Sequence, residues 1–537
     1  MLISQTRTFT VAATIACAVI TTSHAAMTIS NAKTKNVSCT GGVCTPTGGN
    51  ANLNVGDLQT MLAAADVKVK SNAVVPDIGV LNPLTWASTQ HLTFDAYESI
   101  HIHAPIVVEG TAGVTLTTND GGSGGDYDFN TTTSGSITFW DASSSLIVNG
   151  TNFALVKDVK TLATDIAGNS AGNYALANNY DATVDGVYLN APIGAFSGAF
   201  EGLGNSIQNL SIATNLENVH LGLIAHLQAG GTIRDINLTG VSVAGVGAGH
   251  QCSTCAASAG ALVDYSEGII ARVNVSGSVS EGPGKVLVGG IVSANIGTIM
   301  ASSFTGKIYN YRTSLHAIHM GGIAGYSQGS ILQSSAIADV SGGDDAGGLV
   351  GESQGTVALS HASGTVSGGL AGGLVGLASG GAITQSFSSA DVVSRQYGGG
   401  LVGSEYDLAQ ITESYSTGAV SGEGSGNDGR LGGFVGVNKG KISKAYATGM
   451  VSPSGNFCAG GFTGNYLGAD KLYRSAYWDI TTTQQQDGEC SGNLDRITGL
   501  TDDQLKSGLP AGFNPNVWGQ NASINNGWPY LVANPPQ

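Results

Sequence analysis

Gly321-Gly-Ile-Ala-Gly325, Gly347-Gly-Leu-Val-Gly351, Gly372-Gly-Leu-Val-Gly376, Gly399-Gly-Leu-Val-Gly403, Gly432-Gly-Phe-Val-Gly436 and Gly460-Gly-Phe-Thr-Gly464 form the repeat from which the fold is read. Their starts fall 26, 25, 27, 33 and 28 residues apart. Weaker copies precede them at Gly289-Gly-Ile-Val-Ser293, Gly260-Ala-Leu-Val-Asp264 and Leu221-Gly-Leu-Ile-Ala225, so about nine units run from near 220 to 480. A period of 20 to 50 residues marks a solenoid, a propeller or an array. The second half of each unit decides among them. Counting from Ile299, Ile331, Val357, Ile383, Ile411 and Ile442, the residue seven later is small: Gly306, Ala338, Gly364, Ala390, Gly418 and Gly449. Nine later it is β-branched: Ile308, Val340, Val366, Val392, Val420 and Val451. A propeller blade of about 40 to 50 residues is too long to match such units. The pattern predicts short strands stacked rung on rung, a right-handed parallel β-helix whose nine units span about 40 Å at roughly 4.8 Å per rung. Longer intervals, such as the one holding Ser421-Gly-Glu-Gly-Ser-Gly-Asn-Asp428, read as loops on one face.

Composition agrees. The 537 residues include 81 Gly, 42% are hydrophobic and only 11% are charged. Such a chain is neither a coiled coil nor a charged disordered tail, and its apolar share is enough for a long core. The net charge of -16 argues against binding nucleic acid or an anionic membrane surface.

Residues 1–25 read as a signal peptide: Arg7 is the basic start, Phe9 to Ile20 the short apolar stretch, and Ser23-His24-Ala25 the small residues before cleavage. Beyond Cys17 there are six cysteines, Cys39 and Cys44, Cys252 and Cys255, Cys458 and Cys490, and three short-range disulfides in an oxidising compartment are the simplest reading. Cys252-Ser-Thr-Cys255 beside His250 also has the spacing of a redox pair or half a zinc site, but further ligands and a βαβ context are missing.

The flanks read as continuation and caps. Leu58, Met61 and Leu62 recur at helical spacing within Asn54 to Ala65, which predicts a helix plugging the first rung. Val67-Lys-Val-Lys70, Leu92-Thr-Phe94, Ile100-His-Ile-His-Ala104 and Val114-Thr-Leu116 alternate as strands do. A second short helix is expected over Asp158 to Ala167. The tail after Asp479, with a helix at Asp502 to Lys506 and with Trp518 and Trp528, is expected to cover the last rung.

Phe196-Ser-Gly-Ala-Phe-Glu-Gly-Leu-Gly-Asn-Ser-Ile-Gln-Asn-Leu210, followed by the GGLVG units, resembles the GLUG-motif repeats of bacterial secreted proteins. Leu92-Thr-Phe-Asp-Ala96, Ile100-His-Ile-His-Ala-Pro105, Asn119-Asp-Gly-Gly122 and Tyr174-Ala-Leu-Ala-Asn-Asn-Tyr-Asp181 are similar to filamentous haemagglutinin-like adhesins. The resemblance implies a bacterial exported adhesin-type β-helix. Its divisions are then a signal peptide at 1–25, an N-terminal segment and helical cap at 26–66, a strand-rich haemagglutinin-like region at 67–195, the repeat β-helix at 196–480 and a C-terminal cap at 481–537.

A β-helix is also the carrier of polysaccharide lyases and glycosidases. These need clustered carboxylates, or a basic residue beside them, on neighbouring rungs. Asp339 and Asp391 share a column with Thr365 between them, which puts them roughly 10 Å apart, just beyond the usual inverting-pair window. Asp344-Asp345 reads as a solvated glycine turn. Gly121-Gly-Ser-Gly-Gly-Asp-Tyr-Asp128 resembles a single calcium nonapeptide without a second copy, and His101 and His103 share a strand face without a third ligand. No metal or cofactor is therefore expected. One feature suits binding: His361, Phe387, Tyr415 and Tyr446, each four residues after Val357, Ile383, Ile411 and Ile442 respectively, form a ladder on successive rungs. Facing out it is a stacking platform for sugars or an apolar partner; facing in it is core. The sequence thus predicts a non-enzymatic secreted or cell-surface protein that binds a glycan or protein ligand on a host cell, matrix or biofilm. It predicts no nucleic-acid partner and no membrane span after signal cleavage. The alternatives are a polysaccharide-active enzyme and a purely structural matrix protein.

Overall fold

The computed structural model describes residues 25–130, 134–214, 219–245, 256–281, 285–310, 318–406, 409–423, 428–467, 473–490 and 496–536. The expected signal peptide, Ala25 apart, and the Cys252/Cys255 pair lie outside the described residues. The chain forms a parallel β-solenoid of about 14 turns, 54% strand and 6% helix. Its sheets run along the axis. The clearest has ten strands in chain order, one per turn from Ile193–Phe196 through Val350–Ser353 to Thr463–Tyr466.

The columns read from the sequence are the observed register. Gly306 pairs with Ala338 and Ala338 with Gly364, while Val340, Val366, Val392, Val420 and Val451 follow one another. These valines and the column Ile299, Ile331, Val357, Ile383, Ile411 and Ile442 are fully or almost fully buried. The small column is small because the rungs leave no room. A Cβ on Gly418 would stand 1.9 Å from the Ala390 carbonyl oxygen. The two leading glycines of each pentapeptide have the same origin. A Cβ on Gly347 would meet Val350 O of its own bend at 1.9 Å, and one on Gly348 would meet Gly373 O of the next rung at 2.2 Å.

At another corner the chain turns through a left-handed residue that is not glycine. Asp235, Arg272, Ala301, Gln333, Leu359, Gln385, Glu413, Lys444 and Ser475, each two after the Ile299–Ile442 column or its continuation through Ile233, Ile270 and Tyr473, have φ between 45° and 56°. Such a conformation costs about 1–2 kcal/mol for an L-residue, so the neighbouring bonds have to hold it. They do so through a serine ladder. Ser302, Ser334, Ser360, Ser386 and Ser414 are buried one residue past the corner, and each hydroxyl donates to the carbonyl two residues back at 2.8–2.9 Å. Each of the first four also donates its backbone N–H to the hydroxyl of the next rung at 3.1–3.4 Å. The corner's polar groups are thereby satisfied inside the wall.

The coil begins at its first described strand. Ala26–Ser30 lies between Asn52–Asn54 and Asp77–Val80. Helix α1, Val55–Leu62, follows with Asn54 as N-cap, and it turns Val55, Leu58 and Leu62 inward. Met61 is only partly buried. Helix α2, Val159–Gly168, capped by Asp158, buries Val159, Leu162 and Ile166 against Phe196 and the start of the repeat core. It stands where two apolar cores meet, one from Met27 to Leu203 and one from Val156 to Ile497. Cys39–Cys44 and Cys458–Cys490 are disulfides.

The C-terminal segment departs from expectation. Instead of closing the last rung, residues 501–534, with helix α3 at Asp502–Lys506, run back along the side of the coil. Asn534 donates to the carbonyls of Ser360 and Gln385, several rungs earlier.

Candidate functional site

The aromatic ladder is the first candidate. His361, Phe387, Tyr415 and Tyr446 stack at 4.8, 4.8 and 5.1 Å with interplanar angles of 4°, 2° and 2°. Tyr477 continues the column in register. The rings stand outside the tubular core, in a cluster of their own with Leu505, Phe513, Trp518 and Leu531. Phe387 is 4% exposed, Tyr415 and Tyr446 0%. The ladder thus faces away from the coil and is covered by the chain's own C-terminal segment; a ligand reaches it only if that segment leaves. Spacing alone did not show this, because both partners of the contact are apolar and far apart in sequence.

Asp339, Thr365 and Asp391 do share a column, as read. All three are exposed. Asp339 accepts from the Thr365 hydroxyl at 2.9 Å and Asp391 from the Ala419 N–H at 2.9 Å, so each carboxylate already has a local partner. His101 and His103 sit 6.1 Å apart. His101 Nδ1 lies 2.6 Å from Asp128, with Asp77 on its other nitrogen at 3.8 Å. The Asp128 and Asp77 carboxylates push its pKa up to about 10, against the effect of burial. His103 meets Asn130 at 3.2 Å. Asp128, read as part of a glycine-rich loop, is instead the partner of His101.

Two charged clusters escaped the sequence reading. The first joins the two cores. Arg234 and Arg272 both reach Asp126 Oδ2, at 2.8 and 2.9 Å, and both donate to the Tyr127 carbonyl. Arg272 grips Asp235 through two bonds of 2.7 and 2.8 Å, while Arg234 Nε lies 2.9 Å from Asp235 and 3.2 Å from Glu201. Glu201 and Asp235 are 1% and 4% exposed. Two guanidiniums face three carboxyls. Burial pushes Glu201 up to about 8 in spite of Arg234, and burial together with Glu201 raises Asp235 as well. The only sequence signal was a charged residue at two successive corners, Asp235 and Arg272.

The second cluster lies at the bend that the pentapeptide makes. Beside the bend between Ile318–Gly321 and Ala324–Ser327 the next rung lies so close that a Cβ on its fifth glycine, Gly351, would meet Met320 N at 2.4 Å and His319 C at 2.7 Å. Side chains of the two walls therefore converge across a glycine floor. His319 pairs in register with Asp345, and Tyr326 with Glu352. His319 Nδ1 stands 2.7 Å from Asp345 Oδ2, and Nε2 stands 3.4 Å from Glu352 Oε2. Asp345 is buried, not solvated as expected, at the start of Asp345–Gly347. Burial works to lower the His319 pKa, but Asp345, Glu352 and Asp344 hold it above the ordinary value. The same bend carries the His220–Asp264 pair and the His226–Glu267 pair, the latter at 3.2 Å.

Next to this bend, rung length varies. Between the strands on either side of the neighbouring corner lie 246–255, 282–284, 311–317, 342–344, 423–429 and 453–457, whereas His361–Gly372 and Asp391–Gly399 pass without a break. Across the pentapeptide the gap is always two residues, from 290–291 through 348–349 to 461–462.

No family model and no curated protein matches this chain. Among solved structures it is similar to one named IgA1 Protease, at 18% identity over 56% of this chain and 21% of that one, with a TM-score of 0.36. It is also similar to a Bacteroides ovatus protein provisionally named an immunoglobulin A1 protease, at 16% identity over 71% of this chain and 93% of that one, with a TM-score of 0.27. The chain thus spans about a fifth of the length of the first of these. Likenesses of this size carry no argument about activity.

Proposed function

We propose that this chain is an exported, adhesin-type binding protein of the cell surface or surroundings. The solenoid is its stiff carrier, and ligand is recognised along the corner where rung length varies. One observation carries the reading: core columns and the pentapeptide bend keep strict register while the longest insertions, such as 246–255, 311–317 and 423–429, fall at one edge, and the corner after the ten-stranded sheet varies less, from 296–297 to 467–472. A recognition surface needs variable segments on a rigid frame. The disulfides at both ends are compatible with an oxidising compartment, and no helix among the described residues is long and apolar enough to cross a membrane. The resemblance of 196–210 and the GGLVG units to GLUG-motif repeats, and of the region from about 57 to 181 to haemagglutinin-like adhesins, supports the same reading.

The test is an array of glycans and matrix proteins probed with the purified mature chain, with turnover of every bound glycan followed in parallel. Saturable binding without product is the expected result. Release of product, abolished by Asp339→Asn or Asp391→Asn, would instead make this a polysaccharide-active enzyme.

A further inference from the structure

The bend that holds His319, Asp345 and Glu352 has a charge balance the polypeptide does not close. Among the described residues, His319 is the cation within ion-pair reach of Asp345 and Glu352. Arg395 serves the neighbouring Asp344 and donates to the Gly343 carbonyl at 2.6 Å. Two carboxylates against one imidazolium leave an excess negative charge in a corner where the three side chains are only 15%, 8% and 14% exposed. A neutral imidazole with a divalent cation would balance them.

The local hydrogen bonding points the same way. His319 Nδ1 is buried, with the Asp345 oxygen 2.7 Å away as its neighbour. Glu352 is held from behind. Its Oε1 accepts from the Ser379 hydroxyl at 2.5 Å and from the Gln354 amide at 3.1 Å, leaving Oε2 toward the histidine. Outer hydrogen bonds of this kind orient carboxylates that ligate metals. One ligand atom from each of His319, Asp345 and Glu352 lies within 4.8 Å of the others.

We propose that His319, Asp345 and Glu352 bind a divalent first-row transition metal in this bend. An imidazole nitrogen with two carboxylate oxygens suits zinc, manganese or iron better than calcium, which prefers an all-oxygen shell. Three protein ligands leave a coordination position for water or for an oxygen of a bound partner. The site is independent of the adhesin reading.

The experiment is calorimetric titration of the metal-stripped full chain with Zn2+, paired with the visible spectrum of the Co2+ form. His319→Asn and Glu352→Gln are compared with Asp391→Asn, whose carboxylate is exposed on another face. Circular dichroism establishes that each variant is folded. The expected result is about one equivalent of Zn2+, weakened at least tenfold by either bend variant and unchanged by Asp391→Asn, with a cobalt band lost in His319→Asn. Metal binding that survives both bend variants would overturn the proposal by placing the ion elsewhere, for example at His101. Absence of binding to the parent chain would overturn it too, leaving His319 as an imidazolium between two acids.

Discussion

The Tyr446 hydroxyl donates to the carbonyl oxygen of Pro529, joining the aromatic ladder to a segment 83 residues away. Asn525 donates to the same hydroxyl at 2.7 Å and to the same carbonyl at 2.8 Å, so the C-terminal strap is fastened by both polar and apolar contacts. Trp518, 1% exposed, packs against Tyr415, Tyr446 and Phe513. Trp518→Ala is expected to cost about 3–5 kcal/mol of strap attachment, as for other buried tryptophans. Tyr446→Phe, which keeps the ring, is expected to cost about 1 kcal/mol. Denaturant melts together with binding of a hydrophobic dye check both. If Trp518→Ala melts like the parent and binds no extra dye, the strap is not seated on the ladder.

The buried cluster at the junction of the two cores sets a pH dependence. Glu201 titrates near 4.5 when free and near 8 when folded. The folded chain therefore holds a proton that the unfolded chain has released. The stabilisation is fully present below about pH 4.5, and it is lost as pH rises through the window from about 4.5 to about 8. Thermal melts across that range should show the decline, and Glu201→Gln, which needs no proton, should lessen it, the part due to Asp235, which burial also raises, remaining. A parent and variant that decline in parallel would assign the effect to other groups.

The glycine pentapeptide predicts a sharp contrast between two glycines. An added methyl at Gly348 meets the Gly373 carbonyl at 2.2 Å and the Ala362 Cβ at 2.9 Å, whereas at Gly194 it meets nothing within 4 Å. Gly348→Ala should cost roughly 1–3 kcal/mol through overpacking. Gly194→Ala should be near neutral. Equal stabilities by urea denaturation would contradict the rung spacing.

Cys458–Cys490 ties residues 32 apart across the last rungs, and Cys39–Cys44 closes a hairpin of separation 5. On the chain-entropy account, removing the first should cost roughly 3–4 kcal/mol and removing the second about 2. Serine variants followed by hydrogen exchange should fray at the C-terminal rungs in the first case and at the N-terminal hairpin in the second. Uniform loosening along the coil would contradict this.

Much of the coil was legible because a solenoid writes each structural demand once per rung. The small column before Val340 and Val366 and the paired glycines at 347 and 348 are local clashes repeated until they show as a pattern. What did not repeat was hidden. His319, Asp345 and Glu352 occupy three positions of which no other rung has the set, and they meet only because Gly351 lets two walls converge. Arg234 and Asp126 are 108 residues apart. The ladder's ring positions were readable, but its cover comes from a segment whose own sequence has no period. The left-handed corners carry Asp, Arg, Ala, Gln, Leu, Gln, Glu, Lys and Ser in turn, so no residue type announces them.

Recognition along the variable corner is tested most directly by repeating the glycan and matrix-protein array with the 311–317 and 423–429 intervals each shortened to Gly-Ser. Trp518→Ala serves as the comparison in which the ladder, not the corner, is disturbed. The predicted result is saturable binding by the parent that is lost or redirected in the shortened chains, kept in Trp518→Ala and never accompanied by cleavage. Binding indifferent to both intervals, or product released from any bound glycan, would contradict it.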